Sequence, residues 1–199
     1  GGADKGLLQL GQQTILDEVL ERFKPQVDDI VLNVNGDPSR FAAFGLPCIS
    51  DSLEGYLGPL AGVLAAIEYA REHGFDWVAS VAADTPFFPT DFVSSALGKA
   101  AEVTAPVVLA SSFDYEKSKW MRHPTFGIWH VFSNKTLDQV RIKGITKALA
   151  DTPHVLNAPH FHAGVFVHSN PIANQAQRTR LRDSRTRHDL TLLDALVVI

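Results

Sequence analysis

The sequence predicts a three-layer α/β fold in which a mostly parallel sheet carries helices on both faces. Apolar segments rich in β-branched residues alternate with amphipathic helical segments at short spacing. Polar residues follow the ends of the apolar segments, namely Asn33, Asn35, Asp51 and Asp84. Each is also a common turn or cap residue. Four such residues at three strand ends favour a ligand crevice, because ligands of parallel sheets bind beyond the carboxyl ends of the strands.

The first half of the chain begins with a predicted helix at residues 14–24. Its apolar residues recur at helical spacing and form one face. Thr14 is the predicted N-cap and Pro25 the predicted stop. The elements that follow are a strand at 28–35, a turn with a short helix at 36–44, and a strand at 46–50.

The second half continues the same alternation. A helix at 58–74 is predicted to end at Gly74, whose backbone freedom suits a helix C-terminus. We expect one domain over residues 1–199, in which 171–199 form a divergent tail, because arginines crowd there ahead of an apolar end. The other predicted elements are strands at 76–84, 105–112, 125–132 and 154–158 and helices at 90–102 and 134–151.

The composition is typical of a globular protein. The chain has 199 residues, 45% of them hydrophobic, and a formal net charge of −4. No apolar run approaches the roughly 20 residues that a membrane helix needs, and the negative charge offers no general attraction for nucleic acid. The single cysteine, Cys48, excludes an internal disulfide and is typical of a reducing compartment, so a cytoplasmic location is expected.

The sharpest local signal is the sequence VAADTPFFP, which places Asp84 at the end of an apolar strand. A carboxylate held there by a prolyl loop can bind a divalent cation, and magnesium prefers oxygen ligands beside substrate phosphates. The alternative role, a cap for the helix near residue 90, is better filled by Thr90 and Asp91. Lys5 lies in a glycine-bearing segment, where its point charge suits nucleotide phosphates, although glycine and lysine are also common in flexible termini.

Several segments together carry a resemblance to a known family: GGADKGLLQLG, IVLNVN, ISDSLEGYLGPLAGVLAAI, VAADTPFFP and RHPTFGIW. Their order and spacing over residues 1–160 resemble those of the molybdenum cofactor guanylyltransferases. The resemblance implies a Rossmann-like nucleotidyltransferase fold. It also implies that Lys5 contacts the nucleotide phosphates, that Asn33 and Asp51 bind the guanosine part, and that Asp84 binds both nucleotide and magnesium.

The resemblance further implies an activity. Members of this family transfer GMP from GTP to the terminal phosphate of molybdopterin and release diphosphate. Lys5 and Asp84 are then the expected catalytic residues, with Mg²⁺ as the cofactor. GTP and molybdopterin are the expected substrates, and transient contacts with proteins that insert or chaperone the molybdenum cofactor are expected. Nucleic acid and membranes are not expected partners.

Two departures from the family pattern leave alternatives open. The family starts with a strand and a glycine- and arginine-rich loop, which we expect ahead of residue 1, so that Gly1 and Gly2 end a phosphate-binding loop. At the other end, only Asn170 and Pro171 match the family's C-terminal segment. The residues are therefore also compatible with a cytidylyltransferase that acts on the same pterin, because the loop mostly reads the base. A non-catalytic nucleotide-binding remnant is the third alternative.

Some further histidines have two interpretations each. His123, with Arg122 beside it, is a candidate for the pterin side, and both are also ordinary surface residues. His160 and His162 have the spacing of one strand face. An exposed strand is favoured over a metal site there, because no third ligand accompanies them.

Overall fold

The structure is a computed structural model that describes residues 4–52 and 59–131, together with the backbone of strands at 155–156, 163–167 and 196–198. Its α-helices are α1 (Ile15–Phe23), α2 (Pro59–Glu72) and α3 (Phe92–Val103). Its strands are β1 (Gln9–Leu10), β2 (Gln13–Thr14), β3 (Val31–Asn33), β4 (Cys48–Ile49), β5 (Trp77–Val81), β6 (Val107–Asp114), β7 (Lys119–His130), β8 (Val155–Leu156), β9 (Ala163–Val167) and β10 (Leu196–Val198). Short 3-10 helices are Lys5–Leu7, Lys24–Gln26 and Pro38–Phe44. The predicted helix at 134–151 and the histidines His160 and His162 lie outside the described residues.

The large sheet has eight strands in the order β4-β3-β10-β5-β7-β6-β9-β8. Neighbours from β4 to β5 are parallel, and neighbours from β5 to β8 are antiparallel. The predicted α/β class is confirmed, but the prediction of a mostly parallel sheet is wrong for the antiparallel half. For β6 and β7 the physical reason is their short connection, since tight turns join only antiparallel strands. In that turn the Asp114 carboxylate accepts hydrogen bonds from the backbone N–H and the ammonium of Lys117, at 3.0 and 2.9 Å.

β10 lies near the middle of the sheet, although it comes from the predicted tail. It pairs in parallel with β3, where Val197 is opposite Val31, and with β5, where Val197 is opposite Ser80. Residues 196–198 of the predicted divergent tail therefore pair within the sheet. Its sequence, LVV, suits a parallel strand with neighbours on both sides.

Alternate strand residues face two apolar clusters on opposite faces of the sheet. Leu32 of β3 belongs to the cluster under α1 and α3, whereas Val31 belongs to the cluster under α2. Val108 and Val107 of β6 divide in the same way, because successive side chains of a strand point to opposite faces. In the described part of the chain, α1 and α3 therefore pack on one of these clusters and α2 packs on the other.

The ends of α1 and α2 confirm their predicted signals. The Thr14 hydroxyl accepts a hydrogen bond from the Asp17 backbone N–H at 3.1 Å, and the Asp17 carboxylate accepts one from the Thr14 backbone N–H at 2.9 Å. This reciprocal pair is a capping box, and hydrogen bonds from the Thr14 hydroxyl and backbone hold the pKa of Asp17 below its ordinary 3.8. Gly74 follows α2 at a φ of +82°, which glycine adopts without strain. No helix among the described residues is both long and apolar enough to span a bilayer.

The hairpin of β6 and β7 contains a bulge within the sequence RHPTFGIW. Leu109 pairs with Gly127 and Ala110 pairs with His123, so residues 124–126 of β7 are extra to the register. A proline at the first of these positions is tolerated, because bulges do not require its missing N–H for the ladder. β7 thus pairs with β6 on both sides of the bulge.

We expect Gly127→Ala to destabilise the fold by about 1–3 kcal/mol, the usual range for overpacking. A Cβ atom at Gly127 would lie 2.8 Å from the Val108 carbonyl oxygen and 2.6 Å from Leu109 Cδ2, and the first of these is backbone. The control is Gly98→Ala, since a Cβ at this exposed position of α3 would meet nothing within 4 Å. Urea unfolding should show Gly98→Ala at or above wild-type stability, and equal stability of the two variants would contradict the packing.

We expect the unfolding free energy to fall as the pH is lowered from about 6.5 to about 4, by at most about 3 kcal/mol from His130. Burial lowers the pKa of His130 from 6.5 to about 4, and its ring packs edge-on against Trp77 at 4.7 Å. The unfolded chain therefore binds this proton more readily in that window, whereas above pH 6.5 the effect vanishes. Urea titrations at several pH values measure it, and His130→Gln should flatten the profile. An unchanged slope in the variant would contradict the assignment.

Candidate functional site

The polar side chains after β3 and β4 form one hydrogen-bonded cluster. One carboxylate oxygen of Asp51 accepts from the Asn33 side-chain amide at 3.1 Å, and the other accepts from the Asn35 side-chain amide at 2.8 Å. The Asp51 backbone N–H donates to the Asn35 amide oxygen at 3.1 Å. A carboxylate has about four lone-pair sites, so Asp51 keeps acceptor capacity for a ligand.

The second polar pair joins the N-terminal segment to the end of β5. Lys5 Nζ lies 3.2 Å from Oδ2 of Asp84, and the Thr85 hydroxyl donates to Oδ1 of Asp84 at 3.3 Å. The Lys5 and Asp84 side chains are 74% and 38% exposed. Exposed ion pairs add little to stability, so this pair provides an accessible cation beside an accessible carboxylate rather than a structural link.

Gly6 allows Lys5 to lie this close to Asp84. Gly6 is buried, and a Cβ atom there would lie 3.2 Å from the Ala83 carbonyl oxygen and 3.4 Å from the Ala83 Cβ. The absence of a side chain thus permits the 3-10 helix Lys5–Leu7 to pack against the chain that leaves β5. That contact places the lysine one residue before Gly6 next to the carboxylate one residue after Ala83.

Both polar groups lie at the carboxyl edge of the parallel half of the sheet. β3 and β5 are separated by β10 alone, so they are two strand spacings apart, about 10 Å. One end of this edge offers amides and a carboxylate, and the other offers a lysine and a carboxylate. The arrangement suits a ligand with hydrogen-bond donors at one end and phosphates at the other.

The loop that holds Asp84 is anchored by its neighbours. The Thr85 backbone N–H donates to the Ala82 carbonyl at 3.2 Å, and Phe88 is buried 5.4 Å from Phe23 between ring centroids. The N-cap position of α3 is occupied by Asp91, not by Asp84. Asp84 therefore points from a fixed loop without serving a helix.

Asp84 is the predicted magnesium ligand, and its environment fits a metal that arrives with phosphates. Among the described residues, no three His, Cys, Asp or Glu side chains come together as a metal cluster. Magnesium typically takes one or two carboxylates and completes its shell with phosphates and water. A single exposed carboxylate beside a lysine meets that requirement.

Residues 1–160 match the family model of the MobA-like NTP transferase domain. The chain belongs to this family. The match covers the described residues that form both polar pairs, and it confirms the family resemblance predicted from the sequence.

Several proteins similar to this MobA-like chain carry the name molybdenum cofactor guanylyltransferase. One from Nitrobacter hamburgensis is 42% identical over 145 residues, 72% of this chain and 66% of that protein. One from Mesorhizobium japonicum is 43% identical over 130 residues, 65% of this chain and 60% of that protein. A third, from Rhodopseudomonas palustris, is 34% identical over 93% of this chain and 90% of its own length. The matched part of the chain thus covers less than two thirds of the length of the first two relatives.

The structure of this MobA-like chain brings Lys5 together with Asp84 and Asn33 together with Asp51. The family resemblance assigns no role to Asn35, although its position just beyond β3 marks it in the sequence as a candidate for the site. Gly6 and Thr85 were missed, because their contacts depend on tertiary packing.

His123 and the start of α2 in this MobA-like chain do not contribute to the hydrogen bonds of the two polar groups described above. The His123 ring lies 2.7 Å from the Ser112 hydroxyl, and burial lowers the pKa of His123 below 6.5. Pro59 is the first residue of α2, a position that suits the fixed φ and missing N–H of proline. Residues 53–58, which include the first half of the segment GYLGPLAG, lie outside the described residues.

Proposed function

We propose that this MobA-like chain transfers GMP from GTP to the terminal phosphate of molybdopterin, which forms molybdopterin guanine dinucleotide and releases diphosphate. The observation that carries the proposal is the 3.2 Å pair of Lys5 and Asp84 at the sheet edge that also holds Asn33 and Asp51. The names of the similar proteins support the choice of nucleotide and acceptor. We also propose that the complete fold is the three-layer Rossmann-like nucleotidyltransferase arrangement.

The guanosine part of GTP binds at the Asn33 and Asp51 end in this proposal. The Asp51 carboxylate only accepts hydrogen bonds, so it selects the N–H and O–H donors of guanine and ribose. Asn33 holds one of its oxygens at 3.1 Å, which leaves the carboxylate oriented before the nucleotide arrives. The base end is thereby separated from the phosphate end by about two strand spacings, about 10 Å.

The phosphates bind at the Lys5 and Asp84 end. An oxygen of the molybdopterin phosphate attacks the α-phosphorus of GTP, the bond from that phosphorus to the bridging oxygen breaks, and diphosphate leaves with the electron pair. The attacking group is already an anion, so no Ser, Cys or His nucleophile is required. Alignment of two such reactants contributes about 7–11 kcal/mol, and the exposed ammonium of Lys5 can move from Asp84 to a phosphate oxygen.

Asp84 would hold magnesium together with phosphate oxygens of the nucleotide. When bound there, the ion supplies positive charge that offsets the phosphates. Lys5 Nζ lies 3.2 Å from the Asp84 carboxylate, so the ammonium and an ion held by Asp84 would both face the nucleotide phosphates. We propose that Asp84 binds both nucleotide and metal.

Transient protein contacts complete the proposal. Molybdopterin is delivered and the product removed by proteins that chaperone or insert the molybdenum cofactor, in the cytoplasm. The exposed free thiol of Cys48 is compatible with a reducing compartment.

The test is diphosphate release by the purified chain with molybdenum-loaded molybdopterin and either GTP or CTP, with and without Mg²⁺. We expect release with GTP and Mg²⁺ only. Release with CTP alone would show a cytidylyltransferase instead, and GTP binding without any release would show a non-catalytic nucleotide-binding protein. Full release in the presence of excess chelator would contradict the magnesium role.

A further inference from the structure

Asn35 contacts Asp51 at two points and has no role in the function proposed above. We propose that Asn35 is a positioning residue that fixes the Asp51 carboxylate toward the hydrogen-bond donors of guanosine. The inference rests on the proposed function, because it assumes that guanosine binds at Asp51. It adds a residue that determines how tightly the nucleotide binds.

The orientation of the Asn35 amide is determined by its two partners. The Asp51 backbone N–H can only donate, so the Asn35 amide oxygen must face it, at 3.1 Å. The Asn35 NH₂ group then points to Oδ2 of Asp51, at 2.8 Å. A flipped amide would lose both hydrogen bonds. The pair therefore closes a two-bond ring that allows one arrangement of the carboxylate.

The ring continues the backbone pairing of β3 with the β4 segment. The Leu32 N–H donates to the Pro47 carbonyl at 2.9 Å, and the Val34 N–H donates to the Ile49 carbonyl at 2.7 Å. Two residues after Ile49, the backbone N–H of Asp51 donates to the Asn35 side chain instead of to a backbone carbonyl. The Asn35 side chain thus continues the hydrogen bonding between β3 and the β4 segment as far as Asp51, the residue proposed to bind the nucleotide.

The two carboxylate oxygens of Asp51 accept hydrogen bonds from two different side-chain amides. Asn33, partly buried, bonds Oδ1, and Asn35, exposed, bonds Oδ2. An exposed neutral amide adds little net folding stability, because water replaces it in the unfolded chain. Its effect falls on binding, since a carboxylate that is already oriented loses less freedom when the nucleotide binds.

The test uses Asn35→Ala, Asn35→Asp and the control Ser39→Ala. Alanine removes both contacts, whereas aspartate keeps an acceptor for the Asp51 N–H and sets a second carboxylate against Asp51. Ser39 lies nearby in the chain, in the 3-10 helix Pro38–Phe44, and its hydroxyl donates to the Asp37 carboxylate, not to Asp51, at 2.7 Å. We expect the Kd for GTP to rise about tenfold in Asn35→Ala, at least as much in Asn35→Asp, and not at all in Ser39→Ala.

Two readouts separate positioning from a general structural role. The KM for GTP in Asn35→Ala should rise about tenfold while kcat at saturating GTP stays within about twofold, because the phosphate end is intact. Hydrogen exchange of the Asp51 amide should accelerate about tenfold in Asn35→Ala and stay near wild type in Asn35→Asp. Binding of ITP and 2′-deoxy-GTP locates the donor: the variant's defect should disappear for the analogue that lacks the group bound by Asp51.

The outcomes are distinguishable. Wild-type GTP affinity in Asn35→Ala, or unchanged exchange of the Asp51 amide, would overturn the positioning role while the proposed function stands. A wild-type chain that binds GTP but releases no diphosphate would overturn the proposed function, and a tenfold loss of GTP binding in Asn35→Ala would still support the positioning role. A wild-type chain without affinity for GTP would overturn both.

Discussion

An Asp84→Asn variant is expected to lose roughly a hundredfold to a thousandfold in the rate of diphosphate release, as for removal of one preorganised electrostatic group at a reacting centre. Asparagine keeps the size of Asp84 and one oxygen that can accept a hydrogen bond from Lys5, but it removes the negative charge. In the wild-type chain Lys5 Nζ lies 3.2 Å from Asp84 Oδ2. Asp84→Ala, which removes the oxygens as well, should abolish magnesium-dependent turnover. The measurement is diphosphate release over a range of Mg²⁺ and GTP concentrations.

The matched control for Asp84 is Glu102→Gln. Glu102 also carries an exposed carboxylate paired with a lysine, at 2.6 Å from Lys99, but on α3. Each substitution should change the unfolding free energy by no more than about 0.5 kcal/mol, as is usual for surface residues. Glu102→Gln should therefore keep full activity. Wild-type rates in Asp84→Asn would refute the proposed role of Asp84, whereas a loss of stability would refute its description as an exposed, non-structural side chain.

The strand-end positions of the candidate site could be predicted from the sequence. Asn33, Asp51 and Asp84 each follow an apolar segment, and the change from apolar to polar residues marks where a strand leaves the core. The partners of these residues could not be predicted. Lys5 and Asp84 are 79 positions apart in the chain, and their contact requires the close approach of Gly6 to Ala83, which no local pattern encodes.

The pairing of the strands could not be predicted from the sequence either. Periodicity identifies a strand, but it does not identify the neighbour of that strand. The antiparallel half of the sheet follows from the turn at residues 115–118, where Ser118 has a φ of +48°, and neither serine nor its neighbours are a strong hairpin signal. The insertion of β10 between β3 and β5 joins residues at opposite ends of the sequence, so the alternation of nearby elements gave no indication of it.

A Phe88→Ala variant is expected to lose about 3–5 kcal/mol of unfolding free energy, the usual cost of truncating a buried phenylalanine. Phe88 is 5% exposed, and its ring centroid lies 5.4 Å from Phe23, 6.3 Å from Phe92 and 5.8 Å from Phe126. Truncation leaves a cavity among these rings and removes edge-to-face contacts. The loop with Asp84 would also lose its anchor, so activity should fall at temperatures where the variant is still folded. Urea unfolding and diphosphate release measure the two effects.

The neighbouring Phe87 supplies the control, because it has the same side chain in the same loop but is 75% exposed. Phe87→Ala removes the same atoms without opening a cavity, so its unfolding free energy should stay within about 0.5 kcal/mol of wild type. The difference between the two variants isolates the packing of Phe88 from the composition of the loop. Equal destabilisation by both substitutions would contradict the described core, and full activity in a destabilised Phe88→Ala variant would show that the loop with Asp84 is held by other contacts.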